Sequence, residues 1–492
     1  MAALLAATPL LVILVGMGLL RRSAVIAGLM GLTVAVVLSV TVFHLENAAV
    51  SDEFTASFGV IAEAVHSTAT ILWIILPALA IYEFQRQAGA IDRIRDTLAA
   101  LADDRRIQAI LIAWFFGLFM EGAAGFGTPV ALAAPLLVGL GYAPVRAVAL
   151  ALLGHAAGVS FGAVGTPVLA QVEVTGLSAR DVAMRTAALH AVAGPVLLLL
   201  MVRLAGKGRL TRSDLGWAGF AALCFLAPSL ALAFLAGPEL PTLGGALIGT
   251  AVFVLVLRRR RESPNLNLRP LLPDLAPYLF ILLLVLVTRL IPSLQGSLSG
   301  FALSWTFAEA FRGSFQPLYH PGTMLFLGLF LGALVTRRGG LIGGAMAAAL
   351  QRLLPVALAL LVMLTLSRLM VHSGMIGTLA VAAAGVGPAW PLVAPLIGVL
   401  GTFITGSATA SNILFSELQL STASSLSLPP ATMAAAQSFG AAIGNVVAPH
   451  NIIAGSATVG LAGREGDILR LTARPCIIYA GIGGAIILVT QL

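Results

Sequence analysis

Charge is scarce in this sequence: only 10% of its 492 residues are Asp, Glu, Lys or Arg, while 59% are hydrophobic. Soluble domains carry about 25% charged residues, so the composition excludes an ordinary soluble protein. Apolar runs of roughly 20 residues, the length of a bilayer-spanning helix, recur from end to end of the chain. The sequence therefore predicts an all-α, polytopic protein embedded in a lipid bilayer.

Cysteine is scarcer still, because the chain has only Cys224 and Cys476, both within apolar segments. Packed thiols are expected there, and no His or Cys spacing fits a metal site. The net charge of +8 does not indicate a nucleic-acid partner, since the basic residues fall in short loops, as the positive-inside rule requires. No motif indicates a cofactor, and no catalytic dyad has useful spacing, so an enzyme is not expected.

The apolar runs predict about twelve spanning helices plus two re-entrant or broken hairpins. The spans are expected near residues 3–20, 24–43, 67–85, 147–172, 186–204, 215–236, 243–257, 274–292, 322–336, 391–418, 430–453 and 474–491. Two long glycine-rich stretches, 107–138 and 353–386, are predicted as hairpins or broken spans. The loop 44–66 lacks Lys and Arg and is expected outside, whereas the arginine-rich loop 86–106 is expected inside.

A weak internal repeat suggests a two-repeat architecture. At a displacement of about 250 residues, Gly127 and Thr128 align with Gly377 and Thr378 without gaps. Transporters often pair broken helices through inverted repeats, but the loop charges leave the relative orientation of the halves open. The predicted organisation is N-terminal helices and an external loop over 1–66, a first repeat core over 67–210, connecting helices over 211–316 and a second repeat core over 317–492.

Glycine and proline interrupt the most apolar part of the chain. The stretches FMEGAAGFGTP, from Phe119, and GVSFGAVGTP, from Gly158, each place three glycines ahead of a proline, which cannot donate a helical hydrogen bond. An unpaired backbone group in hydrocarbon costs several kcal/mol, so such breaks persist where they line a polar cavity or are covered by protein. Two adjacent breaks predict a site for something small and polar, and the second half adds the hydroxyl-rich TGSATASN from Thr405.

These stretches supply the predicted substrate-binding residues. The set comprises Gly122, Ala123, Ala124, Gly125, Gly127, Thr128, Ser160, Gly162, Gly165, Thr166, Thr405, Gly406, Ser407, Thr409, Ser411 and Asn412. Ser and Thr in membrane helices also bond their own backbone or join helices, which is the structural alternative for the hydroxyl residues.

Four ionisable residues in apolar sequence are candidates for coupling or for binding an anion. Glu121 is the first candidate for proton coupling, because an unpaired carboxylate at such a position costs about 2.5–3.5 kcal/mol; a structural cap is the alternative. His155 and His372 lie beside the breaks and are candidate proton relays, although buried histidines are often purely structural. Arg368 is a candidate carboxylate clamp, with pairing to an internal acid as the alternative.

A family resemblance rests on the longest of these motifs. EGAAGFGTP from Glu121, APLLVGLGYAPVRAVALALL from Ala134, VSFGAVGTP from Val159 and TGSATASN from Thr405 resemble the L-lactate permease family of bacterial monocarboxylate transporters. The resemblance covers nearly the whole chain. It implies a proton symporter of the bacterial cytoplasmic membrane that imports L-lactate, D-lactate or glycolate, with a hairpin and a broken helix in each repeat.

The chain departs from the family pattern at three positions. Ala408 stands where the family has an acid, Asn445 where it has a lysine, and His450 where it has a glutamine. Joint loss of an acid and a base is nearly neutral if the two formed a pair. These departures leave open which hydroxy acid is carried, and a sodium-coupled carboxylate transporter on the same scaffold is the alternative.

Two further classes, an intramembrane enzyme and a channel, fit the sequence less well than a transporter. The first would require a catalytic set that the spacing does not provide, and paired helix breaks suit alternating access better than an open pore. The residues do not decide whether the protein works as a monomer or as a homodimer.

Overall fold

The computed structural model describes residues 1–20, 22–45, 52–125, 127–206, 210–260, 268–461 and 463–490. Residues 46–51 of the predicted outer loop and Phe126 of the predicted hairpin lie outside the described residues. Within the described chain, eleven helices are long and apolar enough to cross a membrane. The prediction of an all-α polytopic fold is confirmed.

The first part of the chain is a succession of helices. In chain order these are α1 (Ala2–Gly18), α2 (Ala24–Leu38), α3 (Glu53–Gln87), α4 (Ala90–Ala99), α5 (Arg105–Ala109), α6 (Gly117–Ala123), α7 (Thr128–Gly139), α8 (Pro144–His155), α9 (Gly162–Thr175) and α10 (Ala179–Ala205). A π-helical segment, Ile110–Phe116, joins α5 to α6 without a turn, so together they form one continuous rod.

The remaining elements comprise the connecting helices, a β-hairpin and the second half. They are α11 (Arg212–Ala236), α12 (Pro241–Arg259), α13 (Leu271–Leu290), α14 (Pro292–Ser299), β1 (Leu303–Phe307), β2 (Phe311–Phe315), α15 (Pro321–Val335), α16 (Ile342–His372), α17 (Met375–Ala384), α18 (Trp390–Thr405), α19 (Ala408–Ser425), α20 (Pro430–Gly444), α21 (Pro449–Thr458) and α22 (Glu465–Thr490). Strands β1 and β2 pair antiparallel, with Trp305 opposite Gly313.

Two helical hairpins turn back inside the bundle. In the first, α5–α6 and α7 are joined by a turn in which Gly125 and Gly127 have φ of +59° and +78°; in the second, Gly406, with φ +69°, joins α18 to α19. Positive φ is easily adopted only by glycine, so these glycines allow the reversals. The predicted hairpin over 107–138 is confirmed.

For the stretch 353–386, the prediction of a hairpin is wrong. That stretch is the continuous helix α16 followed by α17, with Gly374 at the junction. The second hairpin instead occupies the stretch predicted as a span over 391–418. The sequence of its two apolar arms resembles one spanning helix, because the only signal for the reversal between them is a single glycine, Gly406.

Two helical rods are interrupted near their middles. Between α8 and the regular part of α9 the chain passes through a 3₁₀ turn, Ala156–Phe161, and then through Ala163, Val164 and Gly165, all with positive φ. The rod formed by α20 and α21 is interrupted over residues 445–448. A β-branched residue such as Val164 with positive φ is an outlier that surrounding packing must hold in place.

The same order of elements occurs twice in the chain. The starts of the first hairpin, of the first broken rod and of α10, at Arg105, Pro144 and Ala179, recur 285 or 286 residues later in α18, α20 and α22. The repeat displacement of about 250 residues is therefore wrong. It pairs Gly127, in a hairpin turn, with Gly377, which lies inside α17.

Contacts along α3 define two opposite faces of the bundle. Near the C-terminal end of α3, Glu83 pairs with Arg352, and Arg93 of the following helix pairs with Asp274; we call this end the arginine-rich face. Near the N-terminal end of α3, Glu63 contacts His372, at the other end of α16 from Arg352. We call this end the far face.

The two hairpins open toward opposite faces, so the repeats are inverted. The first opens toward the arginine-rich face, where the Tyr142 hydroxyl, just beyond α7, donates to the carbonyl of Arg105 at the start of α5. The second opens toward the far face, because Glu417 in its second arm interacts with Arg368 and His372. The orientation that the loop charges left open is thus antiparallel, the arrangement expected of inverted repeats.

Close packing of the second hairpin against the second broken rod gives a first prediction. A Cβ atom at Gly440 would lie 1.9 Å from the carbonyl oxygen of Pro395 in α18, so Gly440→Ala should force the helices apart at a cost of roughly 1–3 kcal/mol. We expect a clearly lower Tm in detergent. The matched control is Gly377→Ala, where no atom of the described residues lies within 4 Å of the added Cβ, and equal Tm values for the two variants would contradict the packing described.

Candidate functional site

The two hairpin turns and the two helix breaks meet in the interior of the bundle. A Cβ atom at Gly125 would lie 3.2 Å from Cβ of Ala163, which joins the first hairpin turn to the first break. A Cβ atom at Gly406 would lie 2.8 Å from Cβ of His450, which joins the second hairpin turn to the second broken rod. Each turn therefore contacts a break.

Asn451, at the start of α21, connects the two hairpin turns. Its Nδ2 donates to the carbonyls of Gly406, at 3.5 Å, and Asn445, at 3.4 Å. Its Oδ1 lies 3.7 Å from where a Cβ atom of Gly127 would be. One amide side chain thus touches the turns of hairpins that enter from opposite faces. We call this junction the central site.

The helix ends at the central site have a consistent polarity. The N-termini of α7, α19 and α21 all lie at interruptions, as does that of the regular part of α9. The N-terminal end of a helix carries partial positive charge and unpaired N–H groups, which favour anions. The C-terminal ends of α6, α8, α18 and α20 also lie at the interruptions and present carbonyl oxygens of the opposite polarity.

Glu121, in the last turn of α6, is buried beside the first break. A Cβ atom at Gly162 would lie 2.1 Å from its Oε1, so glycine at that position makes room for the carboxyl group. Its Oε2 lies 3.9 Å from Nε2 of His155. The predicted coupling residues Glu121 and His155 are therefore neighbours.

The hydrogen bonds of His155 fix which ring nitrogen faces the glutamate. Nδ1 lies 2.6 Å from the carbonyl oxygen of Ala151, and since a carbonyl only accepts, Nδ1 carries the proton in the neutral ring. Nε2 then presents a lone pair toward Glu121, and the side chain of Asn445 also lies beside this imidazole. Glu121, His155, Asn445 and Asn451 form a continuous line of polar groups across the junction.

Glu121 differs from every other buried acid of the described chain. Each of the other four has an arginine partner, in the pairs Glu83–Arg86, Asp214–Arg106, Glu239–Arg289 and Asp274–Arg93. Among the described residues, Glu121 has no lysine or arginine within 4 Å, and His155 is its one basic neighbour. Protonation of Glu121 would remove an unpaired buried charge, which is costly in a low-dielectric environment.

The first broken rod is held to the second broken rod and to the second hairpin by buried polar contacts. Ser160 donates to the carbonyl of Ser438, at 3.0 Å, and Asn412 donates to the carbonyl of Pro167, at 3.0 Å. One turn away, Gln171 donates to Ser416, at 2.9 Å. The amide oxygens of Asn412 and Gln171 have no hydrogen-bond partner among the described residues.

Several predicted hydroxyl residues stabilise the turns themselves. Thr128 donates to the carbonyl of Gly125, Thr166 to that of Ala163, and Thr405 to that of Gly401. Ser407 accepts from the amide of Ala410 and caps α19, and Ser411 donates to the carbonyl of Gly398. These side chains hold the backbone at the interruptions, which matches the structural alternative for hydroxyl residues.

The remaining predicted binding residues line the same turns. Ala123 and Ala124 are buried where α6 ends, and Thr409 is buried in the first turn of α19. Two glycines instead allow close packing toward α12, since a Cβ atom at Gly122 would lie 2.5 Å from the amide nitrogen of Leu243, and one at Gly165 would lie 2.4 Å from the carbonyl oxygen of Pro238.

Arg368 and His372 do not lie at the central site. Both are at the far face, where Arg368 donates to the carbonyls of Glu173 and Val174 at the C-terminal end of α9. His372 Nε2 lies 3.0 Å from Oε2 of Glu63. The predicted set therefore divides into a central group and a far-face pair.

The three departures from the family pattern all fall at the central site. Ala408 packs with Val159, Ala441 and Ala442, and the amide of Asn445 donates to the carbonyl of Ala442. The positions of the family's acid and base are therefore close across α19 and α20, as a lost ion pair requires. His450 packs on Gly406.

Four residues outside the predicted set also lie in or beside the site: Asn445, His450, Asn451 and Gln171. A signal existed for the first three, because they flank Pro449 in a glycine-rich stretch. Gln171 had a weaker signal, a lone amide one turn beyond Pro167 in an apolar helix.

Comparison with known proteins places this arrangement in a family. The profile described as L-lactate permease matches residues 2–269 and 301–492. The chain belongs to the L-lactate permease family. As a permease built from membrane-spanning helices, it is a multi-pass transporter, and the predicted family is confirmed.

Individual members of the L-lactate permease family align over most of the chain. An L-lactate permease of Streptococcus iniae is 31% identical, over 88% of this chain and 93% of that protein. The glycolate permease GlcA of Escherichia coli is 28% identical, over 99% and 95%, and an L-lactate permease of Bacillus subtilis is 29% identical, over 96% and 93%. Among solved structures, the YdaH transporter of Alcanivorax borkumensis aligns over 94% of this chain and 97% of that chain, with a TM-score of 0.49 and 15% identity.

Proposed function

We propose that this L-lactate permease family member imports a small 2-hydroxy monocarboxylate, namely L-lactate, D-lactate or glycolate, by proton symport across the cytoplasmic (inner) membrane of a bacterium. Relatives named for L-lactate and for glycolate support the substrate class. Arginines concentrated at one face support a cytoplasmic location for that face.

One observation carries the proposal: four interrupted segments meet at one junction, with the N-termini of α7, α19 and α21 directed to it. A small carboxylate placed there would meet several unpaired N–H groups and the positive ends of helix dipoles. The unpaired amide oxygen of Asn412 is an acceptor suited to the 2-hydroxyl group of such an acid. A carboxylate lacking that hydroxyl would leave this buried oxygen unpaired.

Proton coupling has an energetic reason. Moving a monoanion inward against an inside-negative potential costs about 2.3 kcal/mol per 100 mV, and one accompanying proton cancels that cost. We assign the proton to Glu121, the buried carboxyl group without an arginine partner, with His155 as the adjacent acceptor. The names of the relatives give no support to the sodium-coupled alternative.

The test is uptake by proteoliposomes that contain the purified protein, with pH and sodium gradients imposed separately. We expect saturable uptake of labelled L-lactate or glycolate that accumulates with an inward proton gradient and is unchanged without sodium. Protein-free liposomes are the control. Uptake that ignores the pH gradient but rises with external sodium, or flux that never saturates, would contradict the proposal.

A further inference from the structure

A polar cavity lies at the far face, away from the central site. It has a volume of about 360 Å³ and lies between α3, α9, α16 and the β-hairpin. Its ionisable and hydroxyl lining includes Glu63, His66, Ser67, Glu173, Arg312 and Arg368. We call it the roofed vestibule.

The β-hairpin forms the roof of this cavity and is anchored by aromatic residues. Phe311 is fully buried, and its ring occupies the space beside Gly59 of α3, where a Cβ atom would lie 2.2 Å from it. The ring of Trp305 meets that of His66 edge-on, with centroids 5.7 Å apart. The roof is therefore fixed to α3, and its tryptophan lines the cavity.

Arg368 places an unused donor in the vestibule. Its two terminal nitrogens donate to the carbonyls that end α9, whereas its Nε is buried and has no hydrogen-bond partner among the described residues. The nearest acid oxygen, Oε2 of Glu63, lies 3.8 Å from this Nε. His66 Nε2 is likewise buried without a partner, and it is a donor in the tautomer that carries its proton there. Guanidinium and imidazole N–H groups are the donors that proteins use to bind carboxylates.

The acids of the cavity already have partners, so they do not occupy these donors. Glu63 contacts His372 at 3.0 Å, and Glu173 accepts from the Ser67 hydroxyl at 3.2 Å. The formal charges of Arg312 and Arg368 are balanced by those of Glu63 and Glu173. In a cavity with balanced charge, a monoanion adds one negative charge and a dicarboxylate adds two, so the unpaired nitrogens of Arg368 and His66 suit a small monoanion better.

We propose that the roofed vestibule is a second binding site for the transported monocarboxylate, occupied before the anion reaches the central site. The inference takes its ligand class from the proposed function. The vestibule and the central site lie at opposite ends of the regular part of α9, since Arg368 holds its last carbonyls and Gly165 begins it. The predicted role of Arg368 as a carboxylate clamp thus belongs to the vestibule and not to the hairpin turns.

Trp305 provides a direct probe of the vestibule. Titration of the purified full-length protein with L-lactate at constant ionic strength should give a saturable change in tryptophan fluorescence that is absent in Trp305→Phe. Arg368→Lys retains the charge but loses the planar fork, and should weaken the apparent affinity about tenfold. Arg312→Gln, at an exposed position on β2, should weaken it about threefold without disturbing the fold.

The matched control is Arg185→Gln in α10, which removes an arginine that pairs with Asp181 and lies outside the cavity lining. Its titration should equal that of the unmodified protein. A fluorescence response that survives in Trp305→Phe would contradict binding of the monocarboxylate in the roofed vestibule. An equal response in Arg185→Gln and Arg312→Gln would contradict it too. Malonate binding as tightly as L-lactate would overturn its preference for monoanions.

One variant separates this inference from the proposed function. Glu121→Gln alters the central site and should leave the Trp305 titration intact. Proton-driven lactate uptake without any change in Trp305 fluorescence would overturn binding in the roofed vestibule and leave the proposed function intact. A Trp305 response in a protein that transports no hydroxy acid would overturn the proposed function and leave the binding site standing.

Discussion

Glu121→Gln is expected to reduce uptake driven by a pH gradient to the level of protein-free liposomes, while exchange of preloaded for external substrate stays measurable. Glutamine has nearly the same shape and can still hydrogen-bond, but it cannot bind and release a proton. The buried carboxyl group of Glu121 has no arginine partner among the described residues, so its replacement breaks no ion pair of the kind that would destabilise the fold. Exchange needs only that substrate cross on a carrier whose protonation does not change.

The same substitution at an exposed glutamate provides the control. Glu53→Gln, at the start of α3, changes an exposed side chain 3.6 Å from His44 and should leave both activities intact. If Glu121→Gln lost neither activity, Glu121 would have no part in the mechanism. If it lost both in a stably folded protein, its role would be in binding the substrate and not in coupling to protons.

Gly165→Ala is expected to have the second large effect, on stability as well as on uptake. Gly165 has a φ of +85°, and a Cβ atom there would lie 2.4 Å from the carbonyl oxygen of Pro238 and 3.1 Å from the amide nitrogen of Glu239. Left-handed backbone costs an alanine roughly 1 kcal/mol, and overpacking against rigid backbone adds roughly 1–3 kcal/mol. The thermal unfolding temperature and the lactate uptake of the purified variant should both fall sharply.

Gly374→Ala separates the two contributions. Gly374 has a comparable φ of +75°, but in the described part of the chain no atom lies within 4 Å of its Cβ position, so only the backbone strain remains. Its Tm should fall less than that of Gly165→Ala, and its uptake should persist. Equal losses in the two variants would show that contact between the first break and the loop before α12 does not matter.

Local chemistry made the first half of the fold predictable. The glycines around Glu121 and the prolines that follow them indicate interrupted helices, and both interruptions occur there. The second hairpin was misplaced because Gly406 alone reverses an apolar stretch that has the length and hydropathy of a single span. Because 391–418 was predicted as one span and is a hairpin, the number of membrane crossings before the later helices was wrong, and the orientation of the second half stayed undetermined.

Tertiary pairing explains what the sequence did not reveal about the site. Glu121 and His155 lie beside consecutive breaks and are brought together at 3.9 Å. By contrast, the partner of His372 is Glu63, 309 residues away, and no local pattern connects those two positions. The hydrogen bond from Gln171 to Ser416 also joins positions far apart in the chain. In the sequence, each of the two residues is an isolated polar group in an apolar helix.

Substrate protection of single cysteines at the hairpin turns tests the central site most directly. In a chain with the buried Cys224 and Cys476 replaced by alanine, Thr128→Cys and Ser407→Cys would each be labelled with a small thiol reagent, with and without saturating L-lactate. We expect lactate to slow labelling at both turns and to leave Thr378→Cys, on α17, unaffected. Labelling rates at both turns that do not change with lactate would contradict a substrate site enclosed by the interrupted helices.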